Sequence, residues 1–176
     1  MSYHIAIDPG RNTGFALWDA KAQRFLSLQK VGFWKAIEQI KEFSNIYEIH
    51  SVLIENPGLN KPVFMSKDQK KELTDAFEEM LKHARVNEEK FNEGILAIEK
   101  AIRIHSAKCQ RVGMNKEHAS LLIDWLERNN YKVIEVRPSV PKMDHQAFCE
   151  LTGWKGQTNE HVRDAGRIVY GTEPVL

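Results

Sequence analysis

Two acidic residues of this 176-residue chain stand where short apolar runs stop. Asp8 ends the run at 3–8, just before Pro9-Gly10, and Glu55 ends the run at 51–55, just before Asn56-Pro57-Gly58. If those runs are neighbouring parallel strands, both carboxylates leave the sheet at the same edge. A second pair, His161 and Asp164, lies three residues apart in a helical stretch and so shares a face. Ala165 and Ile168 continue that face, which is therefore expected to turn toward the sheet. Ionisable groups on an inward face cost free energy unless something compensates them. Crowded carboxylates also repel and raise each other's pKa values. A divalent cation removes both problems, and three carboxylates with an imidazole suit Mg²⁺ or Mn²⁺, which favour oxygen ligands.

Each of these residues also has an ordinary reading. An Asp before Pro-Gly serves as a turn residue, and Glu55 before Asn-Pro-Gly serves as a solvated strand end. A lone His is commonly a surface residue. Asp164 has Arg163 and Arg167 beside it as ion-pair partners. The four gain weight together, from their order and from the elements that carry them.

Those elements form an α/β pattern. Residues 3–8, 13–19 and 24–30 alternate at meander spacing and predict three antiparallel strands. From Phe33 the period changes, with Ala36, Ile37, Ile40 and Phe43 at helical spacing, before the strand that ends at Glu55. Three strands, a helix and a strand open a mixed sheet. In the middle of the chain, Leu73, Phe77, Met80, Leu81 and Ala84 predict one amphipathic helix. Phe91, Ile95, Ile98 and Ile102 predict a second, after a break near Val86-Asn87. Past Gly113, Asn115 is expected to cap a further helix with Ala119, Leu122, Ile123 and Leu126 inward. A strand at 132–136, a short helix at about 144–151 and a last helix from Thr158 or Asn159 to about Tyr170 complete the pattern.

Composition sets the class. The chain is 42% hydrophobic and 28% charged, with 25 Lys and Arg against 24 Asp and Glu, as in an ordinary globular protein. Residues 1–58 hold six basic and six acidic groups, 59–110 hold ten and nine, and 111–176 hold nine and nine. No segment is a basic arm, so a nucleic-acid partner has to be argued from site chemistry. Cys109 and Cys149 lack metal-ligand spacing and read as reduced thiols. Apolar runs are too short for a membrane span, and no secretory signal is evident, so a cytoplasmic location is expected.

The run Ile5-Ala-Ile-Asp8-Pro-Gly-Arg-Asn-Thr-Gly14 resembles the opening motif of RuvC-type Holliday junction resolvases, in the RNase H-like superfamily. Leu53-Ile-Glu55 resembles the family's second acidic motif, at the end of its fourth strand. His161-Val-Arg-Asp164-Ala165 resembles its C-terminal pair, whose first position is Asp in some members and His in others. The resemblance covers residues 1–58 and about 113–170. It implies a single nuclease domain over residues 1–176: an RNase H-like mixed five-stranded sheet flanked by helices, with a helical hairpin inserted at about 67–108. The insertion departs from the family, in which a short Phe-containing loop and a helix directly follow the glutamate. Leu59 and Phe64 are candidates for the residue that wedges the junction open, and Phe64 equally reads as core.

The resemblance further implies crossover-junction endonuclease activity with two Mg²⁺ ions per site, Mn²⁺ being a substitute. Asp8 would bridge both ions, and Glu55 and Asp164 would each hold one side. His161 would be a ligand or would orient the attacking water, with its imidazole neutral over most of the working range. Lys142 is the choice for the basic residue that offsets phosphate charge. The implied partner is branched DNA bound by a homodimer, with no membrane and no nucleotide cofactor, near the nucleoid or in the host cytoplasm if the source is viral. Nucleases acting on RNA or other branched DNA, and a non-catalytic junction-binding module, are the alternatives. Actin-like ATPases also open on a strand with Asp-x-Gly and Thr, but they need two such domains.

Overall fold

The computed structural model describes residues 2–60, 67–83, 87–138 and 141–173. Among the described residues five strands occur, β1 (Tyr3–Asp8), β2 (Thr13–Asp19), β3 (Arg24–Val31), β4 (Ile49–Glu55) and β5 (Val133–Val136). The α-helices among these residues are α1 (Phe33–Ser44), α2 (Lys67–His83), α3 (Glu88–Arg128), α4 (His145–Thr152) and α5 (Glu160–Val169). The strands form one sheet in the order β3-β2-β1-β4-β5. β1 pairs antiparallel with β2, and β2 with β3, whereas β1 with β4 and β4 with β5 are parallel. This is the mixed α/β, RNase H-like arrangement expected.

Two compact units are present, one of Met1–Asn60 with Met114–Leu176 and one of Lys61–Gly113. In the first, both faces of the sheet are covered, so central β1 is apolar on both sides. Ile5, Ile7, Phe15 and Leu17 pack with Ala36 and Ile40 of α1 and with Ala119, Leu122 and Leu126 of α3. On the opposite face, Ala6, Ala16, Trp18 and Leu53 pack with Phe148 of α4 and with Val162, Ala165 and Val169 of α5. Fully burying one such Val contributes about 1.5–3 kcal/mol. That contribution holds α5 to the sheet and carries Asp164 inward with it.

The second unit contains α2 and the first part of α3. The two helices come close at Gly94, where an added Cβ would stand 2.7 Å from Met80 Cβ. The stripes differ from those expected. Phe77, Leu81 and Ile102 are at least half exposed, while Gln69, Leu73, Ala76, Met80 and His83 are the partly buried positions of α2. Ala84, Val86 and Phe64 lie outside the described residues. Asn87 caps α3 through its side chain, which accepts a hydrogen bond from Lys90 N–H at 3.0 Å. Asn115 begins no helix, because α3 runs unbroken for 41 residues. Gly113 costs such a helix only about 1 kcal/mol, and no proline interrupts it. Among the described residues no helix is long and apolar enough to cross a membrane.

Candidate active site

The parallel pairing of β1 with β4 places Ile7 beside Ile54, so Asp8 and Glu55 follow on the next rung of adjacent strands. Strand alternation sets the orientation. Ile5 and Ile7 enter one core, Ala6 enters the other, and Asp8 shares the face of Ala6. The chain then turns through Pro9-Gly10, closed by the Thr13 hydroxyl donating to Gly10 C=O at 2.8 Å. Asn115 of α3 lies against this turn, its Oδ1 only 3.2 Å from where a Cβ on Gly10 would be.

The helix α5 supplies the other half of the site. Asn159 caps it, its side chain accepting from Val162 N–H at 3.0 Å. The inward stripe is Val162, Asp164, Ala165 and Val169, whereas Ile168 is only partly buried. The helix can lie this close to β2 because residue 14 is glycine. A Cβ there would be 1.9 Å from the His161 carbonyl oxygen. His161, in the first turn of this helix, reaches the end of β1. Its Nδ1–H donates to Asp8 Oδ2 at 2.7 Å.

Lys142 reaches the same place from the segment before α4. Its ammonium group donates to Asp164 Oδ2, with Glu160 Oε1 at 3.8 Å. Two arginines of α5 hold this segment. Arg163 donates to the Met143 carbonyl at 2.7 Å and Arg167 to the Pro141 carbonyl at 2.9 Å. These arginines bind backbone, and it is Lys142 that pairs with Asp164.

The structure thus brings Asp8, Glu55, His161, Asp164 and Lys142 to one region at the C-terminal ends of β1 and β4. The three acids are 6%, 4% and 1% exposed, which excludes the reading of solvated turn or strand-end residues. Their electrostatics follow from that burial. Desolvation, with the neighbouring Asp8 charge, pushes the Glu55 carboxyl up to about 7. Asp164 is also raised, because burial outweighs its bond to Lys142. Burial lowers the Lys142 pKa, but the bond to Asp164 and the surrounding carboxylates outweigh it and leave the pKa raised. The hydrogen bond to Asp8 raises the pKa of His161 against an opposing desolvation. The imidazole is therefore biased toward its charged form, against the neutral form expected for it.

A divalent cation fits this donor set. Glu55 Oε2 is buried and has no hydrogen-bond partner, which a hard cation would supply. Asp8 is turned to His161 and Asp164 to Lys142. Among the described residues, no three His, Cys, Asp or Glu side chains already form a ligand set as they stand. The His161 imidazole, biased toward its charged form, and the Lys142 ammonium here offset carboxylate charge that a metal would otherwise neutralise.

Gly14 belongs to the opening motif but its steric role is not legible there, and neither are the supporting roles of Thr13, Asn115, Arg163 and Arg167. The helical spacing of Arg163 and Arg167 with Asp164 was visible, but not their backbone acceptors 20 and 26 residues away. Leu59, in a single 3₁₀ turn at Pro57–Leu59, is 41% exposed. No protein-family model matches this chain, and no curated protein matches it.

Proposed function

We propose that this chain is a metal-dependent, structure-specific endonuclease that resolves four-way DNA junctions, similar to the RuvC-type resolvases. The observation that carries this reading is the meeting of buried Asp8, Glu55 and Asp164 with His161 and Lys142 at one sheet edge. Several buried acids around an unpartnered carboxylate oxygen suit the binding of hard cations better than they suit stability.

Asp8, Glu55 and Asp164 would hold two Mg²⁺ ions, or Mn²⁺ in their place. When bound, such ions supply a hydroxide nucleophile at neutral pH and stabilise the leaving oxygen of a phosphodiester. The protein side chains do the rest. Asp8 now bonds His161, and to hold a metal it would have to give up that bond. His161, whose Nδ1 is now held by Asp8, would be a further ligand or would orient the attacking water. Lys142, which now pairs with Asp164, would offset the charge that builds on the phosphate oxygens. Two such sites in a homodimer would face opposing strands of a near-symmetric junction.

The test is Asp8→Asn. The variant should bind a synthetic four-way junction as the wild type does and cut it at least about 100-fold more slowly, beyond the usual loss for an outer-shell group. Cutting at the wild-type rate would remove Asp8 from the site, and this reading with it.

A further inference from the structure

The even charge balance of the chain conceals a polarised helix. In the unit Lys61–Gly113, every Asp and Glu lies at or before Glu99. From residue 100 to residue 116, α3 carries Lys100, Arg103, Lys108, Arg111 and Lys116, with no acid at all. Four of these, Lys100, Arg103, Lys108 and Arg111, fall within that unit, and all four are exposed. None makes an ion pair among the described residues.

Helix energetics do not account for this run. Glu88 and Glu89 in the first turn of α3 complement the positive end of the helix dipole. The cations, in contrast, sit in the middle of a 41-residue helix, far from the C-terminal turn where the dipole would favour them. Lys100 with Arg103, and Lys108 with Arg111, are like-charge pairs at i,i+3 spacing, which destabilise a helix. At about 100° per residue the four cations occupy a sector of about 140°, and they extend about 16 Å along the axis. That length exceeds the roughly 12 Å width of the DNA major groove, so the ends of the row can reach phosphates on both of its edges. Lys100 borders a cavity of about 170 Å³ shared with Glu72, so Arg103, Lys108 and Arg111 are the freest members.

We infer that this exposed basic row of α3 is a phosphate-backbone binding surface for a duplex DNA arm of the substrate. The inference rests on the nuclease reading for the identity of the polyanion. It assigns the inserted helices to DNA. The contacts are to phosphates, so they position the duplex without reading its bases.

The test is Arg103→Gln with Lys108→Gln and Arg111→Gln, measured in EDTA so that no cutting intervenes. Binding to a four-way junction, a linear duplex and a double-stranded RNA is followed between 50 and 200 mM salt. Removal of three phosphate contacts should flatten the slope of log K against log salt by about 2–3 for both DNA substrates. Affinity at low salt should fall at least tenfold, with the melting temperature unchanged. Should the triple variant not fold, Arg103→Gln and Arg111→Gln alone should each reduce the slope by about one. Lys108→Arg should keep the wild-type slope. An unchanged slope in a folded variant overturns the inference, as does a slope change seen with RNA alone or wild-type protein that binds no DNA. Wild-type cutting of the junction in Mg²⁺ is scored separately. Cutting with an unchanged slope ends this inference and leaves the nuclease reading, and DNA binding with a changed slope but no cutting does the reverse.

Discussion

His161 Nδ1 lies 2.7 Å from Asp8 Oδ2, which joins the first turn of α5 to the last residue of β1 across 153 positions of sequence. The contact ties the imidazole to the acid expected to bridge two metals. His161→Ala should leave the fold intact and weaken Mg²⁺ affinity and junction cutting by 10–100-fold, the usual cost of losing a group next to a metal ligand. His161→Asp should retain more of both, since it restores an oxygen donor. Calorimetric Mg²⁺ titration of the two variants checks this, and equal, undiminished affinities would contradict it.

Glu55 makes stability depend on pH. Its folded pKa, about 7, lies above that of an unfolded glutamate, because burial and the Asp8 charge disfavour ionisation. The folded state thus holds a proton that the unfolded state has released, and stability falls as pH rises from about 4.5 through 7. In EDTA, Glu55→Gln should lessen that fall, by on the order of 2 kcal/mol at pH 8 after allowance for solvent screening. Mg²⁺ should stabilise the wild type most at that pH, since binding draws on the ionised form. Urea unfolding across pH, with and without Mg²⁺, measures both effects.

His4 acts at the other end of the sheet and in the other direction. It is 2% exposed, shares a 2.7 Å hydrogen bond with Ser51 Oγ, and leaves Nε2 buried without a partner. Burial, with the neighbouring His50 and Lys132, lowers its pKa. The unfolded state then binds the extra proton, so stability is full above about 6.5 and is lost as pH falls below it. Replacing the pair by His4→Phe with Ser51→Ala should flatten stability between pH 6.5 and 5. Retention of the full acid loss in that variant would assign it to other groups.

Gly14 is a steric requirement of the site. Gly14→Ala places a Cβ 1.9 Å from a backbone oxygen of α5, and neither partner is a flexible side-chain tip. The helix must shift, at a cost of about 1–3 kcal/mol or more, and His161 and Asp164 shift with it. Both a lower melting temperature and weaker Mg²⁺ binding are expected. A variant with wild-type values for both would contradict the close approach.

Much of the sheet and the site was legible because it rests on short-range signals. The alternation at 3–8, broken by Pro9-Gly10, fixes the face of Asp8 once β1 lies beside β4. Asn159 and Asp144 announce the helices they cap. The same alternation puts His4 on the face of Asp8, a signal that was present and unused. The unbroken α3 was hidden because Gly113 and Asn115 have the residue types of a stop and a start, whereas packing of Ala119, Leu122 and Leu126 carries the helix through. The exposure of Phe77 and Leu81 depends on which side of α2 meets Gly94, which periodicity alone does not decide. The Lys142–Asp164 pair and the Gly14 approach arise between segments distant in sequence, and no spacing rule reports them.

The most direct measurement is to incubate the purified protein with a labelled four-way junction, a linear duplex and an RNA–DNA hybrid, each with Mg²⁺ or EDTA. The account predicts paired, symmetric nicks in the junction alone, abolished by EDTA. Cutting of the hybrid in place of the junction would contradict junction resolution and move the chemistry to RNA. Junction binding without cutting in Mg²⁺ or Mn²⁺ would contradict the metal-dependent nuclease built on Asp8, Glu55 and Asp164.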